Sequence, residues 1–246
     1  MNENSSVLPK VWGEYACFTR PELKVERVSY AVPTSSAARG LLEAILYKPD
    51  FRWRIEEIRV LKDIQFINLR RNELQGVISC RNVESAMRGT KQLSPLMADD
   101  TDNEGEGRTQ RQTIALRDVS YVIKAAPRPF TSSGTVDLVK KFCEQFTRRC
   151  QKGQCFQQPY FGCREFAANF SLPDGSEKTI PDSRELGWMV YDIFNLNTLP
   201  VPISDKALLE KHRQLSLFEA KLENGVLKVP DWRLEQVRRT AVQEAK

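Results

Sequence analysis

The sequence predicts an α+β fold, on three observations. Apolar segments with strand and helix periodicity alternate in the order β-α-β-β-α-β over residues 1–172. That order defines the ferredoxin-like, RRM-like unit, an antiparallel sheet with two helices on one face. Beyond it, Asn224-Gly225 stands between two apolar runs, a strong hairpin signal. Residues 173–246 are therefore expected to form a small antiparallel C-terminal sheet with a charged tail.

Taken in order, Leu8 to Phe18 reads as a strand punctuated by aromatics. Thr19 to Ser29 carries Arg20, Lys24 and Arg27 and reads as a basic loop. Thr34, Ser35 or Ser36 caps a helix on which Ala38, Leu41, Leu42 and Ile45 share a face, and Pro49 ends it. From Phe51 to Leu61 the alternation is that of a strand, with Trp53, Ile55 and Glu57 on one face and Arg54, Glu56 and Ile58 on the other. Ile64 to Leu74 is extended. An acidic stretch follows within residues 93–110, too poor in apolar groups to offset its chain entropy, so a mobile loop inserted in the hairpin is expected.

Gln112 to Ala126 returns to strand. Gly134 to Arg149 is an amphipathic helix burying Val139, Phe142, Cys143 and Phe146. Tyr160 to Phe170 reads as the strand closing the unit. Leu186–Phe194, Ser216–Leu222 and Val226–Pro230 supply the C-terminal sheet, and the tail from Trp232 is helix-prone.

Bulk properties narrow the function. The 246 residues carry a net charge of +5, a mild lean toward an anionic partner. Six cysteines include no Cys-x-x-Cys pair and no nearby histidine, so no zinc set is expected. Cys17, Cys143 and Cys163 read as buried thiols. Cys150 and Cys155 are close enough for a regulatory disulfide, which a reducing compartment disfavours. Neither a signal peptide nor a membrane span of about 18 apolar residues is found, and a cytoplasmic protein is expected. Dinucleotide, Walker and nucleophile-elbow motifs are missing. The single histidine, His212, lies in a charged segment and reads as a surface residue.

What does cluster is positive charge. Arg20, Lys24, Arg27, Lys48, Arg52, Arg128 and Arg164 fall near strand and helix ends, interleaved with Tyr15, Tyr30, Tyr47 and Tyr160. Cations for phosphates and rings for bases are what single-stranded RNA recognition needs. A surface that merely keeps the chain soluble is the plainer reading of any one of them.

Several strings carry a specific resemblance. They are Gly13-Glu14-Tyr15-Ala16-Cys17-Phe18-Thr19, Ser29-Tyr30-Ala31-Val32-Pro33-Thr34, Lys48-Pro49, Tyr160-Phe161-Gly162-Cys163-Arg164-Glu165-Phe166, Gly187-Trp188-Met189-Val190-Tyr191-Asp192 and Glu223-Asn224-Gly225-Val226. In order and spacing the chain resembles the CRISPR-associated endoribonuclease subunit of subtype I-C (the Cas five subtype d, or Dvulg, type) of the RAMP superfamily. The resemblance implies binding of the CRISPR repeat RNA hairpin and one cofactor-free, metal-free cut at its base. It also implies retention of the product beside other subunits of the type I-C surveillance complex.

Relatives of this type are expected to use a tyrosine at the end of the first helix, with a lysine and a neighbouring histidine on the later central strand. Lys124 matches the lysine, but Ala125 and Ala126 follow it, and Leu46 stands at the tyrosine's place with Tyr47 one position on. Tyr47 and Lys124 are thus the candidate catalytic residues, and Tyr30, Arg20, Lys24, Arg27, Lys48, Arg52, Arg128 and Arg164 the candidate RNA-binding set. An RNA-handle-binding subunit with a decayed site is the alternative, and duplex DNA is a further partner that the basic surface would serve.

Overall fold

The computed structural model describes residues 6–23, 25–74, 76–93, 97, 108–130, 135–199 and 210–240. They build a mixed α/β structure around one large sheet, antiparallel except where Arg27–Val28 joins Thr113 and Ile114 in parallel. Its hydrogen-bonded path begins with strand β10 (Arg238–Arg239), β8 (Arg213–Glu223) and β9 (Val226–Lys228). It continues through β3 (Phe51–Val60), β5 (Arg108–Pro129) and β1 (Lys10–Ala16) to β6 (Asn169–Ser171). Three more strands branch from it: β2 (Arg27–Val28) and β4 (Gln65–Leu74) pair with β5, and β7 (Arg184–Phe194) pairs with β8.

Strand β5 has 22 residues and serves two structures. Its second half runs between β1 and β3 in the main sheet, while its first half pairs with β4 along its length and with the short β2 at Thr113 and Ile114. The change falls at Asp118, whose φ of 51° is left-handed and bends the strand.

Helix α1 (Ser35–Ile45) starts where the sequence places it. The Thr34 hydroxyl accepts the Ala37 N–H at 3.2 Å, satisfying one orphan donor of the first turn. Helix α3 (Thr135–Gln151) buries Phe142, Cys143 and Phe146 against the same sheet face. There Phe51 stacks on Phe142 at 4.3 Å and Trp53 meets Phe146 edge-on at 5.0 Å. The Asn224-Gly225 hairpin is present with positive φ at both positions, 49° and 75°, and pairs Glu223 with Val226.

Four expectations are corrected. Ile58 lies on the buried face with Trp53 and Ile55, not with Arg54, because a bulge at Glu56 inserts one residue and flips the phase of the strand. Tyr160 to Phe170 is a turn closed by a bridge between Tyr160 and Ala167, and regular pairing begins only at Asn169. The tail from Trp232 to Thr240 holds turns and β10, not helix, because Arg238 and Arg239 find open backbone partners on β8. The acidic stretch lies mostly outside the described residues, but β5 already begins at Arg108, and an unforeseen helix α2 (Cys80–Met87) precedes the stretch.

All six cysteines are free. No described helix is long and apolar enough to cross a membrane.

Candidate nucleic-acid cleft

Helix α1 ends under an unusual roof. The Ala44 carbonyl accepts the N–H groups of Phe156 and Gln157 at 2.8 and 3.0 Å. Arg149, in the last turn of α3, donates to the Ile45 carbonyl at 2.7 Å. Orphan carbonyls at the helix end are thus filled by the last turn of α3 and the segment that follows it. That anchoring sets Phe156 beside Tyr47, with ring centroids 6.2 Å apart and planes inclined by 34°. Both rings are exposed, Phe156 by 67% and Tyr47 by 45%.

Below this pair opens a cleft of about 770 Å³, walled by α1, the loop that follows β1, the Tyr160 turn and the end of β7. The Tyr160 turn closes tightly on β1. The Cys17 N–H donates to the Phe161 carbonyl at 3.0 Å, and Gly162 has a φ of 79°. A Cβ at Gly162 would lie 1.9 Å from the Cys17 carbonyl oxygen, so only glycine fits there. A hydrogen bond from Cys163, helped by Thr19, holds the Cys17 thiol down to about 7, although burial opposes this.

A chain of charges lies beneath the cleft. Arg39 bonds Asp192, which is 1% exposed, and its Nε sits 3.4 Å from Glu43 Oε1. Burial works against the charge on Arg39, but Asp192 and Glu43 outweigh it and raise its pKa. Burial likewise pushes the Glu43 carboxyl up, against the pull of Arg39 and Arg52.

Of the residues expected to act, Tyr47 lines this cleft and Lys124 does not. Lys124 lies between Ile123 and Ala125, both fully buried on the helix-covered face, so its side chain points to the opposite face of the sheet. There it stands 4.0 Å from Glu56, within a network in which Arg54 joins Glu56 to Asp231, and Asp231 meets Arg128 at 3.2 Å. Burial would raise the Asp231 carboxyl, but the Arg233 N–H and the two arginines hold it below the usual carboxylate range. The two candidate catalytic residues are therefore not brought to one point. Leu46, at the place of the expected tyrosine, turns into the core at 1% exposure, and the single-residue step sends Tyr47 outward.

The candidate RNA-binding residues divide. Tyr30 and Arg52 are buried, at 3% and 6% exposure, so neither presents its side chain to a strand of RNA. Tyr30 supports the Arg20 guanidinium, 4.7 Å above its ring, near the cleft mouth. Arg52 donates to the Leu196 carbonyl at 2.9 Å, and burial lowers its pKa. Arg27 is shared between Glu73 and Glu165, both at 3.6 Å. Arg164 is exposed, Lys48 is half-buried, and Lys24 falls outside the described residues. Among the described residues no group of three or more His, Cys, Asp or Glu could hold a metal ion.

Sequence reading missed Phe156, Glu43, Arg39 and Asp192 as parts of one site. Nothing local marks them: a lone phenylalanine within Gly153-Gln154-Cys155-Phe156-Gln157-Gln158 is ordinary for a polar turn.

A mixed α/β protein with an aromatic-walled cleft, lined by Arg39, Glu43 and Asp192, beside one large sheet is the class that this geometry defines. The model of the CRISPR-associated protein (Cas_Cas5) family matches residues 6–230, and the chain belongs to that family, in its Cas5d branch. It is 43% identical over 239 residues to a Mannheimia succiniciproducens protein named CRISPR pre-crRNA endoribonuclease Cas5d, covering 93% of this chain and 96% of that one. A Thermus thermophilus protein of the same name is 38% identical over 247 residues, covering 96% of each chain. A crystal structure described as a CRISPR-associated protein shares the fold, with a TM-score of 0.59 at 20% identity over 95% of this chain and 96% of that one.

Proposed function

We propose that this protein is a precursor-CRISPR-RNA endoribonuclease that binds the repeat hairpin and cuts once at its base. The observation that carries the reading is the cleft at the end of α1, where Tyr47 stands exposed against Phe156, together with the names of the two curated relatives. Tyr47 positions the ribose 2′-hydroxyl and passes its proton to solvent as the oxygen attacks the adjacent phosphorus, and the 5′-oxygen leaves with a proton from solvent to give a 2′,3′-cyclic phosphate. No metal is required for that step. Arg20 and Lys48, near the cleft, and Arg164 attract the phosphates on either side. Lys124 and Arg128 act on the outer face of the sheet as attractors of the RNA path, away from the reacting phosphate.

In this reading β3, β5, β1 and β6 with α1 and α3 are the ferredoxin-like unit, residues 1–172 the processing domain and residues 173–246 the C-terminal sheet. The product stays bound, within the cytoplasm, as a subunit of a type I-C surveillance complex. The alternative, a handle-binding subunit without effective cleavage, is favoured by one observation: Tyr47 and Lys124 occupy opposite faces of the sheet, and no histidine follows the lysine.

One gel separates them. Purified protein and its own repeat RNA in EDTA are expected to give a single cut ending in a 2′,3′-cyclic phosphate. RNA that is retained but uncut would establish the alternative.

A further inference from the structure

The cleft holds recognition groups that bond scission does not use. Glu43 lines it, half-buried, with Oε1 shared with Arg39, while no hydrogen bond to Oε2 occurs among the described residues. Tyr47, one helical turn on from Glu43, and Phe156 beside it line the same cleft. Gly40, on the same helix face, carries no side chain and leaves open space in front of it. At about 770 Å³ the cleft falls in the range of small-ligand sites, about 300–1,000 Å³. Exposed aromatic faces and a fixed acceptor lining one cleft suit a planar aromatic ligand that donates hydrogen bonds from one edge.

We propose that the cleft takes an unpaired guanine base, stacked on Phe156 and Tyr47 and donating its N1–H and N2 amino hydrogens to the Glu43 carboxylate. Guanine alone among the four bases offers two adjacent donors on its Watson–Crick edge. Adenine and cytosine set a ring-nitrogen acceptor beside their amino group, which a carboxylate repels. Uracil has a single donor between two carbonyls. Asp192 contributes by holding Arg39, which in turn fixes the Glu43 carboxylate, so Arg39 is a positioning residue and Glu43 the specificity-determining one. The inference rests on the RNA reading above, and it names the feature of the substrate that this cleft reads.

The test is a titration of the intact protein with GMP, AMP, CMP and UMP, followed by ligand-observed NMR. GMP is expected to bind at least about 10-fold tighter than the other three. Glu43→Gln replaces one acceptor oxygen by a donor and should remove that preference, a change of about 10- to 100-fold in the ratio. Phe156→Ala, at an exposed position with no role in the core, should weaken all four nucleotides together. Equal binding of the four, no binding of any, or a guanine preference that survives Glu43→Gln overturns the proposal. Repeat-RNA cleavage is followed on the same preparations. RNA cut normally by a protein without guanine preference discards the base site alone, whereas guanine preference without RNA binding or cleavage discards the nuclease reading alone.

Discussion

Tyr47→Phe is expected to slow single-turnover cleavage of repeat RNA by about 10²- to 10⁴-fold, the usual range for losing a group that handles the proton in the transition state. The variant keeps the ring and its stacking on Phe156, so RNA affinity should change little. Lys124→Ala is expected to do the reverse. Its side chain lies on the outer face beside Glu56, so the variant should bind RNA more weakly, with a shallower salt dependence, and cut at nearly the normal rate once saturated. Rates and affinities measured for both variants at several salt concentrations decide the matter. A rate loss for Lys124→Ala at saturating protein equal to that of Tyr47→Phe would return the lysine to the reacting phosphate.

Asp192→Ala is expected to be the most damaging of the stability changes discussed, at about 3–5 kcal/mol, because it breaks a buried ion pair and leaves the mostly buried Arg39 guanidinium with Glu43 alone. Asp192 is 1% exposed and bonds Arg39, whose side chain is 16% exposed. Its Oδ1 also accepts the Phe194 N–H at 3.0 Å, at the end of β7. The Asp192 carbonyl accepts the Ser216 hydroxyl at 3.1 Å, and the Ser35 hydroxyl donates to the Tyr191 carbonyl next to it. The residue therefore joins α1 to β7 and fixes one wall of the cleft. Denaturant unfolding of Asp192→Ala checks this, and a loss below about 1 kcal/mol, the scale of an exposed ion pair, would show that water enters the site. Replacing Asp192 and Arg39 together should cost less than the sum of the single changes, since the second substitution removes the charge that Asp192 no longer balances.

The sequence made the elements legible where one rule governed them. Thr34 caps α1, and Phe142, Cys143 and Phe146 line up on α3, because periodicity and capping are local. Asn224-Gly225 turns as a hairpin because few other dipeptides tolerate two successive positive φ values. Where two rules competed, the local one misled. Alternation along Phe51–Val60 places Ile58 on the wrong face, since the bulge at Glu56 has no signature in residue types. Arg238 and Arg239 form a strand against helical propensity because β8 supplies backbone partners.

The site was legible in part only. Tyr47 could be singled out through the family resemblance, which expects a tyrosine at the end of the first helix. Its partners could not, because they come from the loop after β1, from Gly153–Gly162 and from the end of β7, segments that meet only through tertiary hydrogen bonds such as those on the Ala44 carbonyl. Tyr30 and Arg52 illustrate the converse failure. Composition marks an aromatic or a cation as an RNA contact, but burial decides whether it faces solvent, and both are spent inside.

The central claim is that the cleft at the end of α1 is where RNA sits, and photo-crosslinking of the protein–repeat-RNA complex, mapped by mass spectrometry, tests it most directly. The account predicts RNA adducts at Tyr47, Phe156 or Tyr160. Adducts confined to the β4–β5 pair and the C-terminal strands, with none at the cleft, would contradict it.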